Sequence, residues 1–164
     1  MSTKLTCGND SPCPGFTRDV SHELAVMKET PQEITAAANS GPGVPQIDPQ
    51  KLYGLTLAAQ SDVLLVVNSG KPALGEGSRA GLVKFRVSKA GRYRVSITSC
   101  HRIEIVDGTQ ILKSRAFQGQ RGCDRPRKIV EYELPADREL LLQLSGSTET
   151  QVMVALTAAA ISLE

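Results

Sequence analysis

The stretch AGLVKFRVSKAGRYRVSIT, residues 80–98, decides the fold class. In its second half, Tyr93, Val95 and Ile97 alternate with polar residues, the period of two that is typical of a half-buried strand. Its first half, 82–87, alternates in nearly the same way, and the residues between, 88–91, are typical of a turn. The stretch therefore predicts two consecutive β-strands.

Similar patterns continue along the chain. The sequence predicts further strands at LYGLTLA (52–58), DVLLVVN (62–68), HRIEIVDGTQIL (101–112), KIVEYELP (128–135), 140–144 and 152–156. Asp107-Gly108 inside the third of these is a strong hairpin signal. In KIVEYELP, the set Val130, Tyr132 and Leu134 is the better core candidate. Residues 33–38 suit either a strand or a short helix.

One helix is predicted near the N-terminus. In DVSHELAVMKE (19–29), Val20, Leu24 and Met27 recur at helical spacing behind candidate N-caps at Asp19 and Ser21. Two stretches rich in glycine and proline, 39–49 and 71–81, read as long loops. These patterns predict an all-β fold, an antiparallel, jelly-roll-like β-sandwich of about nine strands with one short N-terminal helix.

The chain of 164 residues has the size of one domain. We assign 1–18 to a disulfide-bearing N-terminal segment and 19–162 to a single sandwich domain, and residues 163–164 are typical of a cloning remnant. A formal charge of +2 is too small for the whole domain to suggest nucleic acid as a partner, and no stretch is apolar enough for a transmembrane segment. Oligomeric state is left open.

The cysteines indicate an oxidising compartment. Cys7, Cys13, Cys100 and Cys123 are even in number and form no C-x-x-C pair, so three pairings are open. We favour Cys7 with Cys13 and Cys100 with Cys123, because each bond closes a short segment. Disulfides imply a periplasmic or secreted protein. The opening residues lack the apolar region of a signal peptide, so we expect a natural leader to be absent from this sequence.

Most of the chain resembles known β-sandwich proteins. The run at 80–98, with the Asp-Gly turn and the later LPADRELLLQLSGS, resembles the layout of bacterial pre-peptidase C-terminal domains. The order of four motifs is similar to that in short exported proteobacterial proteins of uncharacterised function. These motifs are DVS-x-EL (19–24), GRYRVS (91–96), GC-x-x-P (122–126) and LQLSG (142–146).

The resemblance implies fold and export but no chemistry. Some of the similar proteins are labelled homogentisate dioxygenase. True homogentisate dioxygenases are much longer cupin enzymes with an iron site of histidine and glutamate, which this chain does not match.

The two histidines define an alternative function. A site with two histidines and one carboxylate would need both His22 and His101, together with an acid such as Glu104 or Glu23. No H-x-H or H-x-x-x-H pair supplies a preformed set of ligands. Ser99, Cys100 and His101 are adjacent, but neighbours on a strand point to opposite faces, which argues against a catalytic thiol activated by the imidazole. The common alternative is that both histidines lie on the surface or cap an element.

A basic stretch is the best candidate for a contact surface. Residues 113–128 hold six basic side chains against Asp124, so the rest of the chain is net acidic. A local concentration of cations attracts anionic ligands, and a disulfide at Cys123 would fix the flanking backbone. The candidate ligand-binding residues are Arg115, Arg121, Arg125, Arg127 and Lys128. The competing interpretation is a solvated loop whose arginines pair with Glu104, Asp124 or Glu131.

From the sequence we therefore expect a non-catalytic, exported binding or interaction module with no cofactor. Its partner would be an unidentified anionic ligand or protein that contacts the basic loop 113–128. The alternative is a small metal-dependent enzyme that uses two histidines and a carboxylate.

Overall fold

The computed structural model describes residues 21–66, 77–119 and 126–159. In these ranges it has one α-helix, a short 3-10 helix at Gln60–Asp62 and eleven strands. The helix is α1 (Ser21–Val26). The strands are β1 (Gln32–Thr35), β2 (Leu52–Thr56), β3 (Ala58–Ala59), β4 (Arg79–Phe85), β5 (Gly91–Ile97), β6 (Arg102–Asp107), β7 (Gln110–Ile111), β8 (Ser114–Gly119), β9 (Lys128–Leu134), β10 (Leu140–Ser147) and β11 (Gln151–Ala158).

The strands form two sheets, in the orders β1-β2-β11-β5-β9-β8 and β3-β4-β10-β6-β7. β2 pairs with β11, β4 with β10, β5 with β9 and β6 with β7, all antiparallel. Outer strands in the chain order pair with each other, and so do inner ones, and successive pairs alternate between the two sheets. This is the jelly-roll arrangement. β1 is an exception, because it runs parallel to β2. The all-β sandwich is confirmed, with two more strands than the sequence predicts.

The core lies between the two sheets. Tyr93, Val95 and Ile97 face it from β5, and Val130, Tyr132 and Leu134 from β9, as the alternation predicts. The second sheet contributes the alternate residues of β4, β6 and β10: Val83, Phe85, Ile103, Ile105, Leu140, Leu142 and Leu144. The period of two therefore identified the core face of each long strand.

The hairpin between β6 and β7 confirms the Asp107-Gly108 turn. Gly108 has a φ of 68°, a left-handed conformation that favours glycine. β7 is short, however, and the chain then moves from one sheet to the other across Leu112 and Lys113. β8 pairs with β9 in the six-stranded sheet, with a bulge between Ser114 and Ala116. The segment that follows β6 therefore contributes one strand, β7, to the five-stranded sheet and the next, β8, to the six-stranded sheet.

One predicted strand needs correction. The segment DVLLVVN forms no strand over the described residues 62–66. It crosses the outer face of the five-stranded sheet, where the backbone N–H of Val66 donates to Gln143 Oε1 at 2.8 Å. Of the region 33–38, for which the sequence suits a strand or a helix, residues 33–35 belong to the strand β1.

The helix is at the predicted place but buries a different face. Glu23 and Val26 are buried, whereas Leu24 and Met27 are only partly so. Val20 and Asp19 lie outside the described residues. Val26 and the partly buried Met27 pack on Leu52 and Ala155, and Glu23 meets a buried arginine, as described below. No helix in the described ranges is long and apolar enough to span a membrane.

Candidate functional site

The basic stretch is partly a strand. Residues 114–119 form β8 and Lys128 begins β9, so only the residues between them connect the two strands. The prediction of a loop over 113–128 is therefore wrong for half of its length, because the alternating pattern is weak where the chain crosses between sheets. Arg121 and Arg125 lie outside the described residues.

Arg115 follows the competing interpretation in part. Its side chain is 45% exposed, and its Nε lies 3.9 Å from Glu131 Oε2. That carboxylate also accepts a closer bond from Arg94, at 3.0 Å. Arg115 therefore has a long, partly exposed ion pair and keeps much of its guanidinium in solvent.

Lys128 lies at the inner edge of this region. It stands opposite Ile97 on β5 and Gly119 on β8. In the alternation of β9 it shares the core-facing side with Val130 and Tyr132. Burial, with smaller contributions from the neighbouring charges of Arg127 and Arg102, lowers the pKa of Lys128 to about 8. The lysine is thus a half-buried cation among other cations.

Arg102 and Arg127 come from separate connections at the same end of the sandwich. Arg102 begins β6, after the turn that follows β5, and stands opposite Ser145. The backbone N–H of Arg127 donates to the carbonyl of Ile97 at 2.7 Å, at the end of β5. We call Arg102, Arg127 and Lys128 the basic end. Sequence reasoning missed Arg102 because it lies outside the charged stretch, although its place at the head of a strand was predictable.

His101 lies beside the basic end and is fully buried. Its Nδ1 and Ser99 Oγ are 2.6 Å apart, and its backbone N–H donates to the same oxygen at 3.2 Å. The pKa of His101 is lowered to about 4, mainly by burial and also by the Lys128 charge, against the opposing effect of backbone groups of Ser147 and Arg79. The imidazole is therefore neutral at ordinary pH and has no access to solvent, which suits a structural group better than a general base.

Cys100 precedes this histidine. It is not a free thiol, and its Sγ lies 4.0 Å from Ser147 Oγ. Cys7, Cys13 and Cys123 lie outside the described residues, so the favoured pairing with Cys123 stays a prediction.

The structure does not bring the alternative metal ligands together. His22 lies on α1, over the six-stranded sheet, with its Nε2 at 2.5 Å from Gln50 Oε1. Glu104 faces outward from the five-stranded sheet, where it accepts a bond from Gln143 at 2.7 Å. Packed sheets are about 10 Å apart, so these two residues lie on opposite sides of the sandwich. Among the described residues, no group of three potential ligands is close enough to hold a metal ion.

A second set of buried charges lies under α1. Arg94 Nη1 is 3.3 Å from Glu23 Oε1, and its Nε donates to Glu131 Oε1 at 3.0 Å. Thr157 donates to Glu23 Oε2 at 2.9 Å. All four residues are buried, and we call them the Arg94 network. The sequence placed Arg94 on the polar face of β5 and gave no signal that the helix covers that face.

No protein-family model matches the chain, and no curated protein shows significant sequence similarity to it. The resemblance to exported β-sandwich proteins therefore stays a prediction.

Proposed function

We propose that this protein is a non-catalytic, exported binding module that contacts an anionic ligand or partner through the basic end and the adjoining residues of 113–128. Disulfide bonds among its four cysteines are part of the proposal, because they suit a periplasmic or secreted protein.

The gathering of Arg102, Arg127 and Lys128 is the observation that carries the proposal. Burial lowers the pKa of Lys128 most, and the positive charges of Arg127 and Arg102 lower it further. An anion beside Lys128 would stabilise its charged form through charge-assisted hydrogen bonds. A local concentration of cations attracts anions more strongly than scattered surface cations do.

The position of these residues also supports binding. They come from two connections at one end of a rigid sandwich, β5–β6 and β8–β9, and binding residues are often carried on loops that such a scaffold positions. His101, which is buried beneath them, has no exposed atom to offer a substrate.

The proposal is tested by comparing two charge-matched variants. One replaces Arg102, Arg127 and Lys128 by Ser, and the other replaces Arg86, Lys89 and Arg138 by Ser at the opposite end. Binding of four probes would be measured by titration calorimetry at low salt, where exposed charges are least screened. The probes are inorganic phosphate, polyglutamate, dextran sulfate and vesicles that contain phosphatidylglycerol.

We expect at least one probe to bind the unmodified protein. The first variant should bind that probe about tenfold or more weakly, a change of roughly 1.4 kcal/mol in binding free energy. The second variant should bind as the unmodified protein does. Equal losses in both variants, or no binding of any probe, would show that the basic end is not a specific site.

A further inference from the structure

The chain crosses from one sheet to the other between β7 and β8. This crossing affects the edges of two strands, β6 and β8. β7 pairs with β6 only at Val106 and Asp107. The chain then turns, and β8 joins β9 in the other sheet. Among the described residues, no strand therefore pairs with the rest of the β6 edge or with the outer edge of β8.

Two backbone carbonyls on the edge of β6 accept hydrogen bonds from other groups of the protein. The backbone N–H of Leu112 donates to Ile105 O at 2.8 Å. Tyr132 reaches across from the other sheet, and its hydroxyl donates to Ile103 O at 3.4 Å. Burial raises the pKa of Tyr132, so its hydroxyl keeps its proton. This edge is closed by the molecule's own groups.

β8 is the longest of the four strands that end a sheet in the described part of the chain. It has six residues, whereas β1 has four and β3 and β7 have two each. It pairs with β9 on one side, and no described strand lies on the other. Such an edge presents a row of backbone donors and acceptors and is a template for another extended chain.

The charge along this edge selects the kind of chain. Lys113 and Arg115 are exposed at its beginning. A second copy of β8 added in parallel would bring these like charges together, which disfavours that pairing. An acidic strand would instead meet two cations where β8 begins.

We propose that β8 binds an extended acidic segment of a partner protein as an added strand of the six-stranded sheet. Main-chain hydrogen bonds would supply affinity and the flanking cations would supply selectivity, as in other cases of β-augmentation. This inference rests on the proposed function, since it identifies the anionic partner as a polypeptide.

Two synthetic peptides of equal length and charge test the inference. In one, glutamate alternates with threonine, and in the other it alternates with proline, which lacks the N–H of a strand and favours a different backbone conformation. Their affinities would be measured by fluorescence anisotropy, and amide hydrogen exchange of residues 114–119 would be followed with and without each peptide.

We expect the glutamate-threonine peptide to bind about tenfold or more tightly than the proline peptide. It should also slow exchange at alternate amides of β8, because only those point away from β9. Replacing Lys113 and Arg115 by Glu should lower the affinity for this peptide, whereas replacing Lys89 and Arg138 by Glu should not.

The outcomes separate this inference from the proposed function. Equal affinity for both peptides, or unchanged exchange in β8, would overturn strand addition while leaving an anion site in place. Binding of dextran sulfate, phosphate or vesicles but of neither peptide would overturn it as well. Failure of every anionic probe would overturn both proposals.

Discussion

The Arg94 network and the basic end both hold charged side chains away from water, but with opposite patterns of charge. In the Arg94 network a buried guanidinium lies between two carboxylates, with Thr157 as a further donor. At the basic end, burial and the charges of two arginines lower the pKa of Lys128 to about 8. In the first region carboxylates surround a buried guanidinium, and in the second two arginines act on a half-buried lysine.

This difference separates structure from function. A buried charge that is paired and hydrogen-bonded fixes the position of an element, here α1 on the six-stranded sheet. The charges of Arg102 and Arg127 instead disfavour the charged form of Lys128. We therefore attribute the position of α1 to the Arg94 network, together with the packing of Val26 on Leu52 and Ala155, and the proposed anion binding to the basic end.

Replacing Arg94 by Ala should have the largest effect on stability. The change leaves Glu23 and Glu131 buried without the guanidinium between them, and loss of one partner from such a network costs about 3–5 kcal/mol. Urea unfolding should show this loss. Arg92 is the matched control because it is exposed on the same face of the same strand, and Arg92→Ala should change the unfolding free energy by less than about 0.5 kcal/mol. Equal losses of stability in Arg94→Ala and Arg92→Ala would contradict a structural role for the network.

Acid should destabilise the protein through His101. Its pKa is about 4 in the folded state and about 6.5 when unfolded, so the unfolded state takes up the proton first. The stabilising contribution is complete above pH 6.5 and is lost as the pH falls towards 4, by on the order of 3 kcal/mol. Urea unfolding at pH 7 and at pH 4.5 measures the loss. In His101→Gln the loss over this range should be smaller, and an unchanged loss would assign it to other groups.

Lys128→Met should have the smallest effect. Methionine keeps most of the side-chain length and removes a half-buried cation from beside two others. We expect the unfolding free energy to stay constant or to rise by about 1 kcal/mol. A loss comparable to that of Arg94→Ala would mean that Lys128 has a compensating partner and that the two regions do not differ.

The sequence was sufficient for the sandwich but not for these two regions. Alternation at Tyr93, Val95 and Ile97 reports which side of a strand faces the core, and that is a local property. It does not report what covers the other side. Glu23 and Arg94 are 71 positions apart, so nothing local to either residue predicts their contact, and the apolar spacing of α1 did not indicate that Glu23 is buried.

The basic stretch shows the same limit in another form. Its charge was visible in the sequence, but the strand within it was not, because the switch between sheets at Leu112 and Lys113 depends on how β6 and β9 lie in space. Arg102 lies near Lys128 only in the folded protein, where the β5–β6 and β8–β9 connections lie at the same end of the sandwich.

The pKa of Lys128, measured by NMR titration of its side chain with and without polyglutamate, tests the role of the basic end most directly. Without the polyanion we expect a value of about 8. Bound carboxylates should stabilise the charged ammonium and raise the pKa towards its ordinary value near 10.4. An unchanged pKa of Lys128 under saturating polyglutamate would contradict a specific anion site at the basic end.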